Sequence, residues 1–185
     1  MHHHKNKPAV IALIGPAGVG KTTLGKALAH HTGFRFIDLD RTIEKKLGIE
    51  IDWIFQLEGE SGFRRYETNI LRDLLRQTRQ DTILSTGGGV IVTEANRRLL
   101  TRYATVIYLS APLETLLSRI RHNKGRPLLA GDHATRRQKL ARLLQERQNW
   151  YESAADFQLQ VGHGNLHQTI HQVKTHMAHI MKQIS

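Results

Sequence analysis

The chain has 185 residues, 39% of them hydrophobic and 23% charged, with a formal net charge of +11. That length suits one domain with a real core, no apolar run approaches the ~20 residues of a membrane-spanning helix, and the absence of cysteine excludes disulfides and thiol chemistry. Residues 1–7, which include three histidines, lack the apolar segment of a secretory signal; they are expected to be disordered or tag-like, and the protein to be cytoplasmic.

Val10-Ile11-Ala12-Leu13-Ile14 is a short apolar run ended by glycine, the pattern of a strand buried on both faces. A helix follows from Lys21, with Leu24, Leu28 and Ala29 at helical spacing, and residues 34–40 read as a second strand. A helix over about 41–47 stops at Gly48, a short helical piece lies around 53–57, and a longer helix spans roughly 62–77 with Ile70, Leu71, Leu74 and Leu75 on one face. Residues 82–86 form a third strand, ended by Gly87-Gly88-Gly89. A helix covers about 94–100, residues 105–109 form a fourth strand, and Pro112 opens the next helix. A loop over 123–135, rich in glycine, proline and charge, leads to a helix over about 136–151, a fifth strand at 157–161 and a final amphipathic helix over 165–184. Strand alternates with helix throughout, which predicts βαβ units: a three-layer α/β/α fold around a parallel sheet, in one domain. Trp53 and Trp150 are expected to pack, and His167, His171, His176 and His179 to flank the last helix at the surface.

The chemistry starts at Gly15-Pro16-Ala17-Gly18-Val19-Gly20-Lys21-Thr22, between the first strand and its helix. Glycines let successive backbone N–H groups turn inward onto phosphate oxygens, and the helix start adds its partial positive charge. Lys21 reaches the β- and γ-phosphates and the Thr22 hydroxyl faces Mg²⁺. The loop therefore predicts a nucleoside triphosphate, ATP. It does not choose between hydrolases, switches and kinases.

Other residues speak for an acceptor. Asp38 and Asp40, two apart at the predicted end of the second strand, fall on one face. One could hold the metal's water shell and the other accept a proton from an attacking hydroxyl; a helix N-cap is the alternative for Asp40. Gly87-Gly88-Gly89 suggests close approach of a ligand, with a tight turn as the alternative. Arg64 offers a bidentate grip for a carboxylate. Arg126 sits in Gly125-Arg126-Pro127-Leu128-Leu129-Ala130-Gly131, which reads as a lid placing a cation over the transferring phosphoryl group. Between positions 119 and 147 nine Lys or Arg face only Asp132 and Glu146, a net +7; without interleaved aromatic residues or a reading motif, this is taken as solvated helix surface rather than a nucleic-acid site.

Taken in order, these motifs resemble shikimate kinase, a P-loop kinase family related to nucleoside monophosphate kinases. The markers are Gly15 to Thr22, Asp38-Leu39-Asp40, Leu57-Glu58-Gly59-Glu60 with Phe63-Arg64, Thr86-Gly87-Gly88-Gly89, Arg126-Pro127-Leu128-Leu129, and Glu146-Arg147 before Tyr151. The resemblance implies a five-stranded parallel sheet of order 2-3-1-4-5 and transfer of the ATP γ-phosphoryl group to the 3-hydroxyl of shikimate, with Mg²⁺. By the same resemblance Gly15, Gly18, Val19, Gly20, Lys21, Thr22 and Thr23 would bind the nucleotide phosphates, and Arg119 would stack on adenine. Thr22 and, through water, Asp38 would hold the metal. Asp40 would bind ring hydroxyls and serve as base, Arg64 and Arg147 would pair with the shikimate carboxylate, and Glu67 would orient Arg64. Gly87, Gly88 and Gly89 would bring backbone near substrate, Phe55 and Phe63 would pack the pocket, and Lys21, Asp40 and Arg126 would form the catalytic set. The expected partner is a small molecule, with no nucleic acid or membrane, and the expected state a monomer. Two alternatives stay open: a kinase of the same architecture acting on another polyol acid such as gluconate, and a nucleotide-dependent binding protein without catalysis.

Overall fold

The computed structural model describes residues 8–120, 132–162 and 168–175. Five parallel strands form one sheet in the order β2-β3-β1-β4-β5, the order expected. They are β1 Val10–Ile14, β2 Arg35–Asp38, β3 Thr82–Ser85, β4 Thr105–Ser110 and β5 Phe157–Gln160. The helices are α1 Lys21–Thr32, α2 Leu39–Leu47, α3 Ile51–Gln77, α4 Glu94–Tyr103, α5 Leu113–Ile120 and α6 His133–Ala154. A 3-10 turn, Val90–Val92, precedes α4, and 168–175 is helical.

The central strand shows why a continuous apolar run was needed. Alternate side chains of a strand point to opposite faces. Val10, Ala12 and Ile14 pack with residues of α2, α3 and α4 on one face, among them Ile43, Leu71 and Leu100. Ile11 and Leu13 pack with Leu24, Leu28, Leu116 and Leu140 on the other. Each fully buried side chain of this size contributes roughly 1.5–3 kcal/mol. Packing is close where α1 meets β2: a Cβ at Gly25 would lie 2.7 Å from the Phe36 ring.

Register places the functional loops. Asp38 pairs with Ser85, Ser85 with Leu13, and Ile14 with Tyr108, so the carboxyl ends of β2, β3, β1 and β4 lie level along one edge of the sheet. The loops leaving them gather there, at the edge where open α/β sheets bind ligands.

Several boundaries differ from expectation. The second strand ends at Asp38, and α2 starts at Leu39. The Asp38 carboxylate accepts the Arg41 N–H at 3.3 Å, so Asp38 is the N-cap, and Asp40 lies in the first helical turn. The shared strand face proposed for the two aspartates is therefore wrong. The two helical pieces at 53–57 and 62–77 lie within α3, divided by Gly59 at φ 67° and ψ −175°. Helix α6 starts at His133 because Asp132 caps it by accepting the Thr135 N–H at 2.8 Å. Trp53 does not pack: it is 54% exposed. Trp150 does, with the Arg97 guanidinium 5.2 Å from its ring centroid. Of the flanking histidines only His171 lies within the described residues, and it is exposed.

Candidate active site

The loop between β1 and α1 folds with Gly15, Gly18 and Gly20 at positive φ, a backbone that other residues rarely adopt. Lys21 begins α1 almost fully buried, and its ammonium donates to the carbonyls of Gly15 at 2.7 Å and Pro16 at 2.9 Å. The charge is thus tethered at the mouth of its own loop. The Thr22 hydroxyl donates to Asp38 at 2.9 Å and lies 3.3 Å from the Ser85 hydroxyl. Three elements meet here: the start of α1, the end of β2 and the end of β3.

This is an all-oxygen set, the chemistry a hard divalent cation selects. Among the described residues no group of three or more His, Cys, Asp or Glu side chains comes together. One carboxylate with two hydroxyls fits Mg²⁺, which takes one or two protein carboxylates and fills its remaining positions with water and phosphate oxygens.

The same cleft holds Arg64 and Arg147. Arg64 donates to Glu67 at 2.8 Å and to Glu60 at 2.9 Å and 3.3 Å. Burial alone would lower its pKa; the Glu67 and Glu60 carboxylates together raise it instead. Glu67 is fully buried, and burial pushes its pKa up to about 7 against the pull of Arg64. The Arg64 guanidinium also lies 5.2 Å from the Phe63 ring centroid, and Phe63 packs on Phe55 at 4.8 Å. Arg147 comes from α6, donating to the Gly88 carbonyl at 3.2 Å. The buried Tyr151 hydroxyl donates to the same carbonyl at 2.5 Å, and its ring stacks on Tyr108 at 4.9 Å. Burial raises the Tyr151 pKa, so the phenol stays a donor.

The triple glycine explains how these groups come so close. None of the three is among the glycines at positive φ; what they supply is space. A Cβ at Gly87 would lie 2.6 Å from an Asp40 carboxylate oxygen, and one at Gly88 would lie 3.1 Å from the Ala17 backbone nitrogen. One at Gly89 would collide with the Arg64 guanidinium. The turn is the meeting point of Asp40, the phosphate loop and Arg64.

A cleft of about 460 Å³ runs between the two sides. It is lined by Gly18, Gly20, Lys21, Thr22, Thr23, Asp38, Asp40, Phe55, Phe63, Arg64, Gly87, Gly88, Gly89, Arg119 and Arg147, so most of the candidate residues come together. Gly15 and Val19 do not line it: the Gly15 carbonyl holds Lys21, while Val19 is buried and its carbonyl accepts from Arg119 at 3.1 Å. Arg126 and the whole of the segment 125–131 lie outside the described residues. Sequence reasoning missed Ser85, the site role of Tyr151, and Leu140, Leu143 and Leu144 of α6, which line the cleft. The leucine spacing was readable as a helix face, but the end of the sheet that it would cover was not.

Comparison with known proteins agrees with this geometry. The family model "Shikimate kinase" matches residues 17–182. A shikimate kinase of Chromobacterium violaceum is 46% identical over 144 residues, 78% of this chain and 76% of that one. One from Francisella philomiragia is 41% identical over 165 residues, 89% of this chain and 92% of its own. The solved structure of the Acinetobacter baumannii shikimate kinase in complex with shikimate superposes with a TM-score of 0.87 at 38% identity, covering 94% of both chains. The chain belongs to the shikimate kinase family.

Proposed function

We propose that the two sides of the cleft are the donor and acceptor halves of one phosphoryl-transfer site. The enzyme is a kinase that transfers the γ-phosphoryl group of ATP to shikimate, with Mg²⁺, in aromatic biosynthesis. The observation that carries the residue assignment is that Lys21, Thr22 and Asp38 line the same cleft as Arg64, Arg147 and Asp40.

On the donor side, backbone N–H groups of Gly18 and Gly20 and the ammonium of Lys21 hold the phosphates, with Thr23 beside them, and Arg119 stacks on adenine. Thr22 and Asp38 would hold Mg²⁺, which when bound neutralises charge on the β- and γ-phosphates. On the acceptor side, Arg64 and Arg147 form two cationic forks for a carboxylate, and Phe55 and Phe63 supply the apolar wall. Asp40 binds a ring hydroxyl and takes its proton. The acceptor oxygen then forms its bond to γ-phosphorus as the bond from phosphorus to the ADP oxygen breaks. Lys21 stabilises the charge that moves onto the leaving group. Arg126, by the family resemblance, adds a further cation from the lid.

Two forks and one carboxylate favour a compact acid bearing hydroxyls. Gluconate shares those groups, so the discriminating test is the identity of the acceptor that releases ADP. The whole chain as one domain, acting as a cytoplasmic monomer on a small molecule without a nucleic-acid partner, goes with this reading. Among the described residues no helix is long and apolar enough to cross a membrane.

A further inference from the structure

Asn96, near the start of α4, lies outside the cleft and is fully buried. Burying an amide is costly unless its groups are paired, and this one is only half paired. Its nitrogen donates to the Val90 carbonyl at 3.1 Å and to Glu67 Oε2 at 3.4 Å, while its own oxygen has no partner among the described residues. Two facts give those contacts meaning. Val90 directly follows the triple glycine, and Glu67 Oε2 is the atom that holds the Arg64 guanidinium at 2.8 Å. One amide thus joins the turn to the carboxylate that steers the arginine packed against it.

We infer that Asn96 is a positioning residue for the acceptor, setting the place of Arg64 relative to the glycine turn through Glu67 and Val90. This rests on the assignment of Arg64 to the acceptor carboxylate. Its neighbour Arg97 continues the clamp, donating to the carbonyls of Ile91 at 2.7 Å and Val92 at 3.1 Å while its guanidinium lies over Trp150 of α6. The first turns of α4 therefore grip all three residues of the 3-10 turn that follows Gly89. Glu67 itself faces Arg64 on its own helix, Asp40 from α2 and Arg147 from α6. Asn96 is a neutral donor set against that charged group.

The alternative is that Asn96 only caps the turn. Asn96→Leu removes the donor and the unpaired oxygen at similar shape, and its combination with Arg64→Ala separates the two. The measurements are kcat, KM for shikimate and ADP affinity, in the wild type, in Asn96→Leu and Asn96→Ala, and in each combined with Arg64→Ala. The 3.4 Å contact is a weak bond, so KM for shikimate should rise on the order of tenfold, with ADP affinity and kcat within about twofold. That rise should vanish when Arg64 is already alanine, because the residues act as a unit. An unchanged KM in a variant that still binds ADP would overturn the inference. So would a KM rise that persists without Arg64, or an ADP affinity lost in step with shikimate or lost by both variants. A wild type that does not turn over shikimate would instead sink the functional reading beneath it.

Discussion

Lys21 owes its position to its own loop. Held by the Gly15 and Pro16 carbonyls and almost fully buried, it costs little reorganisation when phosphate oxygens replace those carbonyls. Lys21→Ala should lower kcat on the order of a hundredfold or more while the thermal midpoint stays near that of the wild type. Near-normal kcat would remove the lysine from the phosphate role. Glu67 makes a different prediction. Burial raises its pKa from 4.5 to about 7, so the folded chain holds this proton more tightly than the unfolded one. Its stabilising contribution is complete below the unfolded value and is lost as pH rises through about 7, at no more than about 1.4 kcal/mol per pH unit. Urea midpoints taken from pH 5 to pH 8 should fall in the wild type and fall less in Glu67→Gln; parallel slopes would contradict the assignment. At this scale the sequence showed residue types better than partners. Lys21 and Thr22 stood out because a short motif fixes their surroundings, whereas Arg64 gained weight only alongside the other markers of the family. Ser85 and Asn96 were not, because an isolated hydroxyl or amide acquires meaning only from side chains 63 and 29 residues away that the fold brings to it.

Helix α3 lines the cleft in two halves, with Phe55 before Gly59 and Phe63, Arg64 and Glu67 after it. At φ 67° and ψ −175° Gly59 occupies backbone space that is closed to side chains. The kink lets both halves face the cleft and brings Phe55 within 4.8 Å of Phe63. A Cβ there would meet no neighbour within 4 Å, so the strain is purely conformational. Gly59→Ala should therefore lower stability by roughly 1–3 kcal/mol in chemical denaturation and raise KM for shikimate more than KM for ATP. Equal stability would mean that the kink tolerates a side chain. Element boundaries show what local pattern misses. A run such as Phe34 to Asp40 looks like strand to its end. One hydrogen bond from the Arg41 N–H to Asp38 starts α2 early and turns Asp40 from a strand residue into a helical one. The aspartates still reach the same cleft, by a route that strand periodicity does not contain.

The whole molecule was the most legible level, because alternating strands and helices with a phosphate loop after the first strand leave few topologies. The sheet order β2-β3-β1-β4-β5 puts the loop after β1 between the triple glycine after β3 and the elements after β4. Residues from sequence positions 16 to 151 thereby line one cleft of about 460 Å³. What composition could not supply was the direction of that basic charge: Arg147 turns into the cleft toward Gly88, while Arg142 pairs with Glu146 at the surface. ADP release measured across a panel of hydroxy acids tests whether the acceptor in this cleft is shikimate. With ATP and Mg²⁺ present, shikimate should support turnover and gluconate should not; turnover with gluconate and none with shikimate would assign the cleft to another acid.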